Sequence, residues 1–365
     1  MHNDKALMRQ VQHNCTISDA RFAGIYSVCG LAMRLRDLYK WEHGLPPYEE
    51  HDAHKVLEWI GRKETRWEAL QEAEYRDLVV DGQAIDPFDT IPINRLIQGR
   101  NLFYGAGYAQ SLKPSFLLAE IEEQTSVAGY PVLYLGPEKA RDLLTLPAFT
   151  QDDVIIVRKA AIEFYIWDQM LYLNQSGRPF FQFGLAACGL SEKDAGGLRN
   201  CLPKVVGVQE ATFLYHEVGE MADTHFEHAI WRSIIATLPH TPAEFLARAV
   251  KDILADTHPQ GTLPQIIHTH GKAALGFYAG FLDGLRKELF PEIRAAISDF
   301  MRDGNWQNVE AMTGAVHRKA QTIAQTITTL FVEGHREQDY TRMEEELVRR
   351  YLCPPTGRQL APKFT

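Results

Sequence analysis

The spacing of apolar residues along the chain predicts mostly helix. Apolar side chains recur every three or four residues over long stretches, which gives a helix one apolar face. A short apolar run bounded by glycine and proline, at 130–135, instead predicts a strand, and the run at 153–157 predicts a second strand or the start of a helix. The predicted helices include 18–39, 47–62, 114–125, 137–144, 159–173, 208–231, 242–255 and 308–333. We therefore predict a mainly α protein, with a helical C-terminal domain and an α+β N-terminal region that contains a few short strands.

A stretch rich in glycine, proline and polar residues, 177–207, separates two groups of predicted elements. Such a composition is typical of the segments that join domains. We predict an N-terminal mixed helical and strand domain over residues 1–205, a helical domain over 206–335 and a C-terminal arm over 336–365. The end of the arm is predicted to be irregular, because from Arg349 onward it is rich in proline and basic residues.

Composition and charge narrow the class of protein. The net charge is -9 and the pI is near 5.9, which argues against a nucleic-acid binder, since such proteins usually carry a basic face. The first residues lack the apolar segment of a secretory signal, and no apolar run is long enough to predict a membrane span. The five cysteines are widely spaced and form no CxxC pair. We therefore expect a cytoplasmic protein with reduced thiols and with no nucleic-acid or membrane partner.

The helix predicted over 208–231 has an unusual polar side. No lysine or arginine lies between Lys204 and Arg232, although surface helices usually mix charges of both signs. The polar side chains are carboxylates and imidazoles, and one row of them follows the spacing i, i+4, i+7, i+11. This row consists of His216, Glu220, Asp223 and Glu227. It is either a polar network, on a solvated face or at a dimer interface, or part of a metal site that needs a second element.

The segment 256–270 is the best source of that second element. It contains Asp256 and, within the next fourteen residues, three histidines, and it follows the acidic helix after one further helix. Histidine nitrogen and carboxylate oxygen together suit a divalent zinc, iron or manganese ion. The Glu-x-x-His pairs of di-iron bundles and the HExxH motif of zincins are both absent from the chain. The predicted metal ligands are His216, Glu220, Asp256, His258 and His270, and the predicted catalytic carboxylates are Glu217 and Glu220.

Residues 213–220, FLYHEVGE, resemble the metal-binding helix of the HD-domain metal phosphohydrolases. In that family an apolar run precedes His-Asp, and here Glu217 stands in the place of the aspartate. The resemblance implies that His216 and Glu217 ligate a metal whose bound water attacks a phosphoester. The remaining ligands implied are Asp256 and either His258 or His270. The chain departs from the family pattern because no histidine lies between His54 and His216, where the family has an upstream ligand.

The chain as a whole is similar to a family of uncharacterised bacterial proteins for which no activity is known. The similarity lies in residues 17–24 and 38–47 and in the loop that follows Asp256. It implies that the entire length is one evolved unit, and it supplies no function.

A second candidate site surrounds the glycines of residues 94–108. Arg95 and Arg100 flank Gly99, and Gly105 and Gly107 follow. Glycine allows backbone to approach a ligand closely and arginine suits anions, so Arg95 and Arg100 are candidate anion-binding residues. A tight turn without a ligand is the alternative.

These observations lead to two hypotheses about function. The first is a metal-dependent hydrolase, of the phosphoester type, that acts on a small molecule and forms a homodimer. The second is a non-catalytic helical protein whose polar row serves structure or interaction. Metal content separates them, and we expect His216→Ala to reduce bound metal more than His54→Ala does.

Overall fold

The computed structural model describes residues 2–50, 52–191, 193 and 196–353 of the chain. The described residues fall into two compact units, divided between Asp168 and Gln169. Residue 205, where the sequence predicted a boundary, lies inside a helix of the second unit. The predicted C-terminal arm is helical as far as Leu352, and the part of it from 354 onward lies outside the described residues.

The first unit combines helices with two sheets, a two-stranded antiparallel sheet and a five-stranded mixed sheet. Its helices are α1 (His2–Phe22), α2 (Val28–Glu42), α3 (Ala53–Glu68), α4 (Thr90–Ile97) and most of α5 (Lys159–Leu171). Its strands are β1 (Leu78–Val80), β2 (Gln83–Ile85), β3 (Leu102–Tyr108), β4 (Pro114–Val127), β5 (Tyr130–Arg141), β6 (Ala148–Gln151) and β7 (Val154–Arg158). The first two strands form a hairpin, and the other five form one sheet in the order β3-β4-β5-β7-β6. Only the β5–β7 pair of that larger sheet is parallel.

The larger sheet is curled, so that its two outer strands approach each other. The Gln151 side chain on β6 accepts a hydrogen bond from the Ala106 backbone on β3 (3.0 Å) and donates one to the Tyr104 carbonyl (3.2 Å). The rings of Phe103 and Phe149 also meet across this gap, with centroids 6.4 Å apart. The sheet therefore has an inner face, enclosed by the curl, and an outer face.

Alternation along the strands gives each face its own core, since successive side chains of a strand point to opposite sides. The outer face packs with α1 and α4 in a cluster that includes Leu7, Val11, Ile93 and Tyr104. The inner face is filled by a smaller cluster of Phe103, Leu117, Ala119, Leu135 and Ile156.

Several predicted helices of this unit are wrong. Residues 114–125 form a strand, and 137–141 continue β5 rather than starting a helix. The first half of β4 is buried on both faces, so its sequence reads as a continuous apolar run, which does not distinguish strand from helix. The helix predicted over 18–39 is broken as well, because Ser27 caps a new helix by accepting a hydrogen bond from the Gly30 N–H. The strand predicted at 130–135 is confirmed, and of the two alternatives for 153–157 the structure has the strand, from Val154 onward.

A buried ionic cluster joins α1 to the sheet. The Lys113 ammonium is fully buried and lies 3.4 Å from Asp19 Oδ1 and 3.3 Å from Asp142 Oδ2. It also donates to the Ser18 hydroxyl (2.8 Å). Asp19 in turn accepts a hydrogen bond from the backbone of Leu143 (3.0 Å). One cation thus serves two carboxylates in a place that water does not reach.

The second unit is helical throughout its described residues. It contains α6 (Arg178–Ala187), α7 (Gly197–Ala222), α8 (His228–Thr237), α9 (Pro242–Thr257), α10 (Thr262–His268), α11 (Lys272–Phe281), α12 (Gly284–Leu289), α13 (Pro291–Asp303), α14 (Trp306–Glu337) and α15 (Tyr340–Leu347). With 64% helix and 14% strand, the chain is mainly α, with an α+β N-terminal region, as predicted. Of the helices described, none is both long and apolar enough to cross a membrane.

Candidate functional site

The acidic helix ends sooner than its sequence predicts. The single helix predicted over 208–231 is wrong, because α7 ends at Ala222 and the next helix, α8, begins at His228. Asp223 explains the break: its carboxylate accepts a hydrogen bond from the His225 backbone (3.0 Å) and contacts Nδ1 of the His225 ring (2.9 Å). A side chain that binds nearby backbone in this way competes with the helix. The predicted row of polar residues is therefore interrupted after Asp223.

Helices α7 and α9 pack with their backbones almost in contact. A Cβ atom at Gly219 would lie 2.1 Å from the backbone oxygen of Ala255, and a Cβ at Gly261 would lie 1.9 Å from the same atom. Only glycine fits at these two positions, since any side chain would force the backbone apart. This close approach brings the last turns of α7 against the last turn of α9. Asp256 belongs to that turn, because α9 extends two residues beyond its predicted end at 255.

Replacing Gly219 with alanine is expected to lower the free energy of unfolding by about 1–3 kcal/mol, because the added methyl group overpacks the α7–α9 contact. Urea denaturation measures the change. Gly207→Ala is the matched control: it lies in the same helix, where a Cβ would meet no atom within 4 Å. That control should gain up to about 1 kcal/mol from helix propensity. Equal effects of the two substitutions would contradict the close contact.

His216 and Asp256 meet at the α7–α9 contact as an ion pair. His216 Nδ1 lies 2.8 Å from Asp256 Oδ1, and the Tyr278 hydroxyl donates to Asp256 Oδ2 (2.9 Å). Asp256 is only 2% exposed, whereas the His216 side chain is 22% exposed. Arg286 Nη1 lies 4.0 Å from Asp256 Oδ2 on its other side. The carboxylate is thus held by a cation and a hydroxyl, with a second cation close by.

Electrostatics fix the protonation of this pair. Burial alone lowers the pKa of His216, but the charge and hydrogen bond of Asp256 outweigh it and raise the pKa to about 10. Burial likewise tends to raise the pKa of Asp256, and the His216 imidazolium reverses this and holds it below its usual value. At neutral pH His216 is therefore an imidazolium, which has no lone pair for a metal ion.

The other predicted residues of α7 continue this network. Glu220 accepts a hydrogen bond from Lys251 and lies 3.8 Å from His216 Nε2. The Lys251 ammonium, with the charge of His216, overcomes the effect of burial and lowers the pKa of Glu220. Glu217 is buried, with 8% of its surface exposed. The structure thus brings together His216, Glu220 and Asp256, and α9 supplies cations that α7 lacks after Lys204.

His258 belongs to a different group, formed by three imidazoles. The ring centroids of His225 and His317 are 6.0 Å apart, and those of His258 and His317 are 6.2 Å apart. His225 follows the end of α7, His258 follows the end of α9, and His317 lies in the middle of α14. We call these three residues the histidine cluster. They come from three elements that the sequence separates by up to 92 residues (317 − 225 = 92).

Each ring of the histidine cluster uses its Nδ1 atom for a hydrogen bond. His225 Nδ1 contacts Asp223 Oδ2 (2.9 Å), and His317 Nδ1 contacts the Thr257 hydroxyl (3.0 Å). Because the Thr257 hydroxyl donates to the Ile253 carbonyl, it accepts from His317 Nδ1–H. Two of the three Nε2 atoms therefore keep a free lone pair in the neutral ring.

The third ring, His258, has the opposite tautomer in this structure. Its Nδ1 accepts a hydrogen bond from the Gln260 backbone (3.2 Å). Burial lowers the pKa of His258 and of His317, so both rings are neutral at pH 7. Within the described part of the chain, no three His, Cys, Asp or Glu side chains already stand close enough together to hold a metal ion.

The remaining predicted site residues lie elsewhere. His270 lies in the turn between α10 and α11, and its ring packs on Trp306 with centroids 5.4 Å apart. Arg100 forms ion pairs with Asp81 (2.6 Å) and Asp4 (3.4 Å), and Arg95 is exposed at the end of α4. The glycine-rich residues 102–108, for which a tight turn was the alternative, form strand β3.

Sequence reasoning missed His225 and His317 as partners of His258. The spacing Asp223-x-His225 is a signal that could have been used, because aspartate followed two residues later by a backbone donor is typical of a helix end. His317 carries no such signal, since it is a single histidine in a long amphipathic helix.

Comparison with known proteins provides a family and no activity. Residues 6–158 match the N-terminal domain, and residues 163–350 the C-terminal domain, of a family of unknown function, DUF6866. No curated protein and no solved structure matches the chain. Because the two matches together cover residues 6–350 apart from 159–162, the protein belongs to the DUF6866 family.

Proposed function

We propose that this protein is a metal-dependent hydrolase whose metal ion is bound by the histidine cluster. The observation that carries the proposal is the convergence of His225, His258 and His317 from three separate elements. Three imidazoles at one place are rare without a purpose, since histidine is costly to bury and is the commonest metal ligand. Of the metal ligands predicted from the sequence, this proposal retains only His258, and it adds His225 and His317.

The chemistry of the cluster fits zinc best among the three metals predicted from the sequence. Imidazole nitrogen suits zinc, and three protein ligands leave a fourth position for water, as in catalytic zinc sites. In metal sites, a histidine ligand usually donates a hydrogen bond from its second ring nitrogen, which orients the ring. Two rings of the cluster have such a bond at Nδ1: His225 with the Asp223 carboxylate and His317 with the Thr257 hydroxyl.

Binding requires the three rings to move closer by a small amount. At a Zn–N distance of about 2.0–2.1 Å, tetrahedral geometry places ring centroids roughly 5 Å apart. The observed separations are 6.0 and 6.2 Å, so the rings are about 1 Å too far apart. His258 lies in the short loop after α9 and would approach His317 by exchanging its 3.2 Å bond with Gln260 for the metal. His225, which follows the end of α7, would have to move by a similar amount to close the other separation.

The setting of the cluster favours hydrolysis of an anionic substrate. His225 is exposed, so the fourth position opens to water. A bound divalent ion lowers the pKa of a coordinated water and makes it a nucleophile at neutral pH. Arg318 is exposed and is close enough to contribute to lowering the pKa of His317. The likeness to HD-domain phosphohydrolases implies a phosphoester as the substrate class, and the Arg318 guanidinium would suit its charge.

Metal analysis of untagged protein tests this proposal. After incubation with Zn²⁺ and gel filtration, the wild type is expected to hold about one zinc per chain, and His317→Ala less than about 0.1. His54→Ala is the matched control, because His54 is an exposed histidine of α3 whose side chain is 78% accessible. It should retain the full zinc content.

The variant His216→Ala distinguishes the two placements of the metal. The sequence predicted that it would lose metal, whereas the histidine cluster requires it to keep its zinc. Loss of zinc from His216→Ala with retention in His317→Ala would overturn the proposal. So would a wild-type zinc content below about 0.1 per chain.

For the polar row of α7, the contacts favour the second hypothesis, in which the row has a structural role. Positive and negative side chains alternate along one connected network, in the order Lys251, Glu220, His216 and Asp256. A metal ion there would have to displace the Lys251 ammonium from Glu220 and remove a proton from His216. We propose that this row stabilises the α7–α9 contact and does not take part in catalysis.

Four further points stay predictions from the sequence: a cytoplasmic location, a small-molecule substrate, a homodimer and the lack of a nucleic-acid partner. The net charge of -9 supports the last of these, because a phosphate backbone would be repelled.

A further inference from the structure

A cavity of about 190 Å³ opens at one end of the curled sheet in the first unit. It lies where β3 ends, β4 begins and β6 and β7 run past them. Its lining includes Gly105, Gly107, Ser115, Leu117, Phe149 and Arg158. These side chains and glycines continue the inner face of the sheet beyond the apolar cluster that fills its centre. The cavity is therefore the unfilled end of the sheet's interior.

Two glycines of β3 leave this space open. Gly105 and Gly107 follow Phe103 at alternate positions, so all three share the inner face. A Cβ at Gly105 would lie 3.3 Å from the Phe149 ring, whereas a Cβ at Gly107 would meet no atom within 4 Å. A larger residue at 107 would therefore project into empty space, where an alternating strand would normally place a core side chain.

Arg158 gives the apolar cavity a positive charge. Its Nε donates to Glu138 Oε1 (2.8 Å), and its Nη1 donates to the carbonyls of Leu144 (3.4 Å) and Leu146 (3.3 Å). Its Nη2 donates to no residue that the structure describes. Glu138 also pairs with Arg141 (3.3 Å), so one carboxylate serves two guanidinium groups. The cavity wall thus carries the Arg158 guanidinium, which is 4% exposed. Arg158 shares the negative charge of Glu138 with Arg141.

We infer that this cavity binds a small amphiphilic monocarboxylate, with its carboxylate on Arg158 and its apolar part against Leu117 and Phe149. The mouths of small β-barrels are common ligand sites, with apolar walls and few polar groups. One uncommitted guanidinium nitrogen and the hydroxyl of Ser115, which lines the same cavity, match a single carboxylate. A phosphate group, with more oxygens and a larger charge, would need more donors than this end of the sheet offers.

Calorimetric titration of the full chain with hexanoate and with hexan-1-ol tests the inference. The two ligands have the same apolar chain and differ at the head group. Hexanoate is expected to bind about tenfold more tightly, because only its carboxylate forms a charge-assisted bond with Arg158. Gly107→Leu should weaken hexanoate binding by at least about tenfold, because the new side chain occupies the cavity.

Gly61→Leu is the matched control for the blocking variant. Gly61 lies in α3 of the same unit, and a Cβ there also meets no atom within 4 Å. It should bind hexanoate as the wild type does. The inference is overturned if hexanoate does not bind, if the alcohol binds as tightly, or if Gly107→Leu keeps the wild-type affinity. Arg158 itself is not substituted, because loss of its bond to Glu138 would destabilise the fold. Zinc content is measured separately, so failure here does not bear on the histidine cluster.

Discussion

Replacing Asp256 with alanine is expected to lower the free energy of unfolding by about 3 kcal/mol at pH 7. The substitution removes the partner of a His216 imidazolium and of the Tyr278 hydroxyl. Breaking a buried ion pair from one side costs about 3–5 kcal/mol, and the partial exposure of His216 places this case at the lower end. Urea denaturation with fluorescence detection measures the loss.

The control for this variant is Asp252→Ala on the same helix. The Asp252 side chain is 38% exposed, and its oxygen is 3.8 Å from Arg286 Nε. Exposed pairs of this kind contribute about 0–1 kcal/mol, so the control should change stability by less than the Asp256 variant does. Similar losses for both would show that the His216–Asp256 pair does not stabilise the α7–α9 contact.

Lys113→Met is expected to lower the free energy of unfolding by about 3–5 kcal/mol at pH 8. It leaves the buried Asp19 and Asp142 carboxylates without the cation that lies between them. Methionine fills a similar volume, so the loss reports mainly on charge. Lys139→Met is the control, because Lys139 is 38% exposed and pairs with Glu120 at the surface (2.6 Å); it should change stability by less than about 1 kcal/mol.

The stability that the buried ionic cluster of Lys113, Asp19 and Asp142 contributes changes with pH in a defined direction. Burial, only partly offset by Lys113, raises the pKa of Asp19 from 3.8 to about 7. The folded state therefore holds the Asp19 proton more tightly than the unfolded state does. This contribution to stability is complete below pH 3.8 and is lost as the pH rises to about 7. Removing Lys113 raises the pKa of Asp19 further, so the deficit of Lys113→Met should widen between about pH 5 and pH 8. A deficit that narrows over this range would contradict the assignment.

Sequence patterns identified the helices of the second unit better than the strands of the first. Thr241 followed by Pro242 predicts the start of α9 correctly, because a threonine cap and a proline at the first helical position are local signals. Strand β4 was taken for a helix because its first half is buried on both faces, which depends on partners far away in the chain. Local chemistry thus predicted the start of α9, whereas burial by distant partners decided the error at β4.

The candidate site shows the same division. The contact between His216 and Asp256 follows from a helical hairpin, and the sequence predicted that these two residues would meet. The cations that neutralise the acidic helix come from α9 and could not be read from α7 itself. His317 reaches His225 and His258 only because α14 packs beside the ends of two other helices, and no spacing rule encodes that packing.

The outer edge of strand β3 also affects how copies of this chain can associate. An unpaired strand edge is a template for edge-to-edge aggregation, because its amide and carbonyl groups can pair with another chain. Here the Asn94 carboxamide receives the Tyr104 N–H (2.8 Å) and donates to the Tyr104 carbonyl (2.8 Å), while the Gln151 carboxamide receives the Ala106 N–H. Two side-chain amides thus occupy the Tyr104 and Ala106 groups that a second β3 would need, which disfavours self-association through this part of the edge.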